Sequence, residues 1–128
     1  MLSSWITKKA APPVKVAIVG GREFADKARL YEVMDDLALK HKIALVVSGG
    51  ATGADTFGAE WAKDRGIATR IFIAEWKKYG RKAGIIRNGQ IVDAATMLVA
   101  FWDGKSPGTK NSIQRAEKKK IPVIIEHY

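Results

Sequence analysis

Cysteine is absent from the 128 residues, and histidine occurs only as His41 and His127. The first absence excludes a disulfide framework, a thiolate zinc site, an iron–sulfur cluster and a cysteine nucleophile, and it suits a reducing cytosol. The second leaves too few imidazoles for a histidine metal site, so neither metal nor cofactor is expected. Long apolar runs are also missing: none approaches the roughly 20 residues that span a bilayer, and the N-terminus lacks the apolar core of a signal peptide. A soluble, cytoplasmic protein with no membrane partner is expected. Acidic residues are scarce, 13 against 22 Lys plus Arg, and the net charge of +9 invites an anionic partner without choosing among nucleic acid, nucleotide and acidic neighbours. With 47% hydrophobic residues and only four prolines, the chain lies outside disordered compositions and can bury one core.

What is present is an alternation. After a polar leader over residues 1–13, expected to be flexible and ending in the stiff Ala11-Pro12-Pro13, Val14 to Val19 is a β-branched apolar run that stops at Gly20-Gly21. Similar runs follow at Ile43 to Val47, Ala68 to Ile73, Met97 to Phe101 and Ile121 to Ile125. Between them, helical spacing links Leu30, Val33, Met34 and Leu37, then Phe57, Trp61 and Ala62, then Ile85, Ile86, Ile91 and Val92, and finally Ile113 and Ala116. This β-α alternation predicts one α/β domain over residues 14–128. The expected fold is a Rossmann-like three-layer sandwich whose mostly parallel five-stranded sheet runs in the order 3-2-1-4-5.

Ligands of such sheets bind outside the carboxyl ends of the strands, near the switch in strand order. Three glycine-rich turns fall on that rim: Gly20-Gly21-Arg22, Ser48-Gly49-Gly50-Ala51-Thr52-Gly53-Ala54-Asp55, and Asp103-Gly104-Lys105-Ser106-Pro107-Gly108-Thr109. Each feeds a helix whose first N–H groups favour an anion, and the turns add the hydroxyls of Ser48, Thr52, Ser106 and Thr109. One such turn is ordinary loop geometry, but three on one rim point to a phosphate or nucleotide pocket. Neither G-x-x-x-x-G-K-[ST] nor G-x-G-x-x-G occurs, which disfavours a P-loop NTPase and a standard dinucleotide dehydrogenase.

Individual side chains suggest roles beside plainer alternatives. The Arg22 fork suits a phosphate, or is simply a surface arginine. Asp55 complements a helix dipole, or receives ribose hydroxyls. Arg87 suits a phosphate, with Asn88 supporting it or touching a base edge. Trp76 is placed to stack on a base or to serve as a lid or interface, whereas Trp61, at helical spacing from Phe57, reads as core. Lys77, Lys78, Arg81 and Lys82 flank the expected pocket; Lys118 to Lys120 read as a solvated helix end.

Gly20-Gly21-Arg22-Glu23-Phe24, the Ser48 to Asp55 block with Trp61-Ala62, Trp76, and Ala83-Gly84-Ile85-Ile86-Arg87-Asn88 together resemble the YspA/YpsA-related branch of the SLOG superfamily. Gly108-Thr109, Arg115-Ala116 and Ile121-Pro122-Val123 complete the order, so the resemblance runs from about Val14 to the C-terminus. It implies a Rossmann-like fold and a nucleotide or ADP-ribose-like ligand held by Gly20, Gly21, Arg22, Ser48, Gly49, Gly50, Thr52, Gly53, Asp55, Trp76, Arg87, Asn88, Gly104, Gly108 and Thr109. A sensor or scavenger is expected before an enzyme. The LOG phosphoribohydrolases of the superfamily carry Pro-Gly-Gly-x-Gly-Thr and catalytic glutamates, where this chain reads Trp102 to Ser112 without them. Arg87 matches the LOG arginine, but an N-glycosidase would have to use Asp55 or Asp103 as its carboxylate. The other alternative is single-stranded nucleic-acid binding in the manner of DprA. Apolar helix faces in so small a chain also predict a homo-oligomer of unspecified symmetry.

Overall fold

A computed structural model describes residues 12–128; of the leader, residues 1–11 lie outside the described residues. The elements are β1 (Val14–Gly20), α1 (Lys27–Lys40), β2 (Ile43–Ser48), α2 (Ala54–Asp64), β3 (Ala68–Ile71), α3 (Trp76–Tyr79), a 3-10 turn (Gly80–Lys82), α4 (Ala83–Asp93), β4 (Met97–Trp102), α5 (Pro107–Lys119) and β5 (Val123–His127). All strand pairs are parallel and the order is β3-β2-β1-β4-β5, as the alternation predicts. The third helical stretch begins earlier than the periodicity suggests, with α3 and the 3-10 turn preceding α4.

The two-residue period of the strands separates the core into two layers. Val16 and Ile18 of β1, with Met97, Val99 and Phe101 of β4, face Leu30, Met34 and Leu37 of α1 and Trp61 of α2. Ala17, Val19, Leu98 and Ala100 face the other way, against Ile91 and Val92 of α4 and Ile113 and Ala116 of α5. Trp61 is fully buried, and its indole N–H is satisfied by Asp35 Oδ1 at 2.9 Å. Asp35 also accepts both nitrogens of the Arg65 fork at 2.8 Å, and this pairing holds its carboxyl below the usual range.

Two expectations shift. The run Ala68 to Ile73 forms an edge strand of four exposed residues rather than a buried one, consistent with Thr69 and Arg70 inside it. The lysine run at the end of α5 is not merely solvated. Lys119 Nζ donates to the carbonyls of Val92, Asp93 and Ala95 at 2.9–3.0 Å, capping the C-terminal end of α4, while Lys120 takes the left-handed conformation that ends α5. Lys119→Met keeps the aliphatic stem and removes the charge. It is expected to cost about 1–2 kcal/mol in a urea melt, and an unchanged midpoint would show that water replaces the cap at no cost.

Candidate functional site

β1 and β4 are neighbours at the centre of the sheet, but their following helices leave on opposite faces. The chain divides there, and a cavity of about 890 Å³ opens beyond the strand ends. Its walls come from the β1 turn (Gly20 to Glu23), the start of α2 (Ala51, Asp55), α3 and α4 (Trp76, Arg81, Gly84, Ile85, Arg87, Asn88) and the start of α5 (Ser106 to Ser112). Tyr128 closes the β5 side.

Nine expected residues meet at this cavity: Gly20, Gly21, Arg22, Asp55, Trp76, Arg87, Asn88, Gly108 and Thr109. Six do not line it. Ser48 is fully buried and donates to the Asp55 carbonyl at 3.1 Å. Gly50 lies against Ile71 and Ile73, whereas Thr52 and Gly104 are exposed away from the cavity. Gly49 is buried behind Arg87 and Asp55, where a Cβ would come 2.9 Å from the Arg87 Nη1 and 2.8 Å from the Asp55 Oδ2. Gly53, at φ +79°, lets α2 approach the β1 turn; a Cβ there would lie 2.4 Å from the Gly21 carbonyl oxygen. Of the basic segment flanking α3, Arg81 reaches the cavity, but Lys77, Lys78 and Lys82 do not line it.

The glycine-rich turn after β2 behaves differently from a free anion cradle. Asp55, in the first turn of α2 and 6% exposed, turns its carboxylate back onto that turn and accepts the amide of Ala51 at 3.3 Å, with Gly49 also contributing. The turn's own carboxylate therefore engages the Ala51 and Gly49 amides that a phosphate would otherwise meet. Burial pushes the Asp55 carboxyl up to about 6, against the lowering pull of the Ala51 amide, Arg87, the Gly49 amide and Arg22. Asp103 is the opposite case: the amides of Ser106 and Lys105, each at 2.8 Å, hold its carboxyl below the ordinary range. Of Asp55 and Asp103, Asp55 is the one whose titration moves toward neutrality.

The open anion acceptor is the start of α5. Pro107 has no N–H, Ser106 provides no side-chain cap, and nothing lies within 4 Å of the position a Gly108 Cβ would take. The amides of Gly108 and Thr109 thus stand at the positive end of a 13-residue helix without a capping side chain. Asn88 ties α4 to this turn by donating to the Gly108 carbonyl and to Asn111 Oδ1, both at 3.3 Å. In the same cavity wall, Arg87 Nη1 donates to the Gly49 carbonyl at 3.0 Å. Arg87 Nε is the one buried side-chain polar atom among the described residues without a hydrogen-bond partner, and Nη2 makes no bond with the described residues. Arg22, Arg81, Arg87 and Lys110 thus share the walls with Glu23, Asp55 and Asp103, two of whose carboxylates are already engaged by backbone amides. An anion fits near α5 and a hydroxyl donor fits near Asp55. Among the described residues, no cluster of three or more metal-ligating side chains is present, and no helix is long and apolar enough to cross a membrane.

Sequence reasoning missed Tyr128 and gave no role to Asn111. The pairing of Asn111 with Asn88 was hidden because it joins two helices, but its position four residues after Pro107, one turn on along the same face of α5, was a usable signal.

Residues 14–79 match the family model described as the YspA, cpYpsA-related SLOG family. No curated protein matches the chain. Among solved structures, DNA processing protein A from Streptococcus pneumoniae is similar with a TM-score of 0.73 at 20% identity, over 88% of this chain and 50% of that one. DNA processing protein A from Helicobacter pylori, in a structure described by its unique single-stranded DNA binding mode, gives 0.68 at 22% identity, over 88% and 65%. The chain spans between half and two thirds of the length of these two proteins, and the likeness is one of fold.

Proposed function

The chain belongs to the YspA, cpYpsA-related SLOG family, and from that membership we propose that its cavity binds a nucleotide or nucleotide-derived phosphoribosyl ligand of the ADP-ribose class, as a sensor or scavenger. The observation that carries this reading is Arg87: a guanidinium anchored on Gly49, lining the cavity together with a helix start that has no side-chain cap, with Nη2 making no bond to the described residues. A phosphate between Arg87 and the Gly108 and Thr109 amides receives charge-assisted bonds from both sides. Asp55, ionised above its raised titration point, accepts the ribose hydroxyls, and Trp76 offers a face to the base.

Calorimetry against ADP-ribose, cyclic ADP-ribose isomers, NAD and nucleoside monophosphates tests the reading. Binding of at least one of these is expected, with its unphosphorylated counterpart at least about tenfold weaker. Folded protein that binds none of them overturns it.

A second reading, single-stranded DNA binding, is favoured by one observation: Trp76 and Tyr79 are exposed and bracket Lys77 and Lys78 on the surface beside the cavity. A strand crossing this segment and contacting about three phosphates would give a slope of log affinity against log salt near −2. Measurable binding near physiological salt with that slope favours the second reading over the first.

A further inference from the structure

Resting on the nucleotide reading, we infer that the cavity takes a ligand with two aromatic bases joined through a short phosphate bridge, and that Tyr128 is the second stacking platform. Two large aromatic side chains line this one cavity while remaining half in solvent: Trp76, 52% exposed, and Tyr128, 48% exposed. They arrive from opposite edges of the sheet, since Trp76 follows β3 and Tyr128 follows β5. The anion-accepting groups, Arg87 and the start of α5, belong to the elements around the central strand ends, between those edges.

Each ring is held in place by something other than a ligand. Trp76 rests its Cη2 against Gly84, where a Cβ would stand 3.4 Å away. The Tyr128 ring meets Phe24 edge-on at 5.0 Å, and its amide donates to the Trp102 carbonyl at 3.1 Å. Its hydroxyl lies over Gly21, in space that any Cβ at that position would take, and makes no hydrogen bond with the described residues. A phenol held by its amide, by Phe24 and by Gly21 at its hydroxyl end, yet 48% exposed and lining the cavity, is preorganised for stacking, so little side-chain freedom is lost on binding. The cavity volume, about 890 Å³, lies in the upper part of the range for small-molecule sites and exceeds what one base with its sugar needs.

Three probes separate this inference from the reading beneath it. ADP-ribose carries one base; NAD adds a second aromatic ring to the same diphosphate frame, and diadenosine diphosphate adds a second adenine. By calorimetry, both two-ring ligands are expected to bind at least about tenfold tighter than ADP-ribose. Trp76→Ala and Tyr128→Ala should each reduce that advantage to within about threefold, while Trp76→Phe, which keeps a stacking face, should retain most of it. Because Trp76 is half exposed, its variants test the idea even if Tyr128→Ala perturbs folding, which circular dichroism reports. If ADP-ribose binds as tightly as both two-ring ligands, the inference fails and the nucleotide reading stands. If none of the three binds, the inference fails, and the nucleotide reading falls with it when the cyclic ADP-ribose isomers and nucleoside monophosphates also fail to bind. Affinity for oligothymidylate that keeps rising beyond two nucleotides also overturns the inference, in favour of an extended nucleic-acid track.

Discussion

Replacing Arg87 with alanine is expected to weaken binding of a phosphorylated ligand by about 10- to 150-fold, the range for losing a hydrogen bond to a charged group. The fold should survive. The variant forfeits one bond to the Gly49 carbonyl but also removes a buried Nε that has no partner, and these effects oppose each other. Arg87→Lys keeps the charge and loses the planar fork that spans Gly49 and the cavity, so it should recover only a small part of the affinity. A thermal melt within a few degrees of the parent, combined with lost binding, assigns Arg87 to the ligand. A collapse in stability with affinity intact would assign it to the turn after β2. The variant also removes one of the positive charges that pull the Asp55 carboxyl down, so that group should titrate higher still.

The second large effect concerns Asp55. Its carboxyl titrates at 3.8 in the unfolded chain and at about 6 in the fold, so the native state holds the proton more tightly. Stability from this group is therefore greatest below pH 4, falls as pH rises from about 4 to 6, and is constant above that. The full difference is on the order of 2–3 kcal/mol. Asp55→Asn keeps an oxygen to accept the Ala51 amide and removes the charge. It should be more stable than the parent at pH 8 by that amount, about 10 °C in melting temperature, and within about 2 °C of it at pH 4. Equal melting temperatures at pH 8 would mean that the backbone amides and arginines compensate the buried charge completely. A residue that destabilises the fold at neutral pH while facing a cavity is the pattern of a group retained for what it binds. Asp55→Asn should accordingly lose its preference for ribonucleotides over their 2′-deoxy forms.

The strands and their order were readable because the apolar runs are short, bounded by glycine and alternate with helical spacing, so few topologies remain once crossovers are right-handed. The edge position of β3 was half readable: Thr69 and Arg70 inside the run already argue against burial on both faces. The glycine blocks were legible as places of close approach, as Gly20 and Gly53 prove to be, but not as to what approaches. At Gly53 it is the β1 turn, and at Gly49 it is the protein's own arginine and carboxylate. Asp55 falling four residues after Ala51 is the signal that the turn serves itself, a use that neither a helix-dipole nor a ribose role for Asp55 includes. Tyr128 could not be found from sequence at all. It meets Gly21 across almost the whole chain, and no local pattern encodes a contact of that separation.

The central claim is that the phosphate sits at the start of α5 and not in the glycine-rich turn after β2. Amide chemical shifts of nitrogen-15-labelled protein, followed while ADP-ribose is added, test it most directly. The largest changes are expected at Gly108 and Thr109, with the Arg87 side-chain Nε–H moving alongside them. Changes concentrated at Gly49, Gly50 and Ala51, with the α5 amides unmoved, would contradict the account.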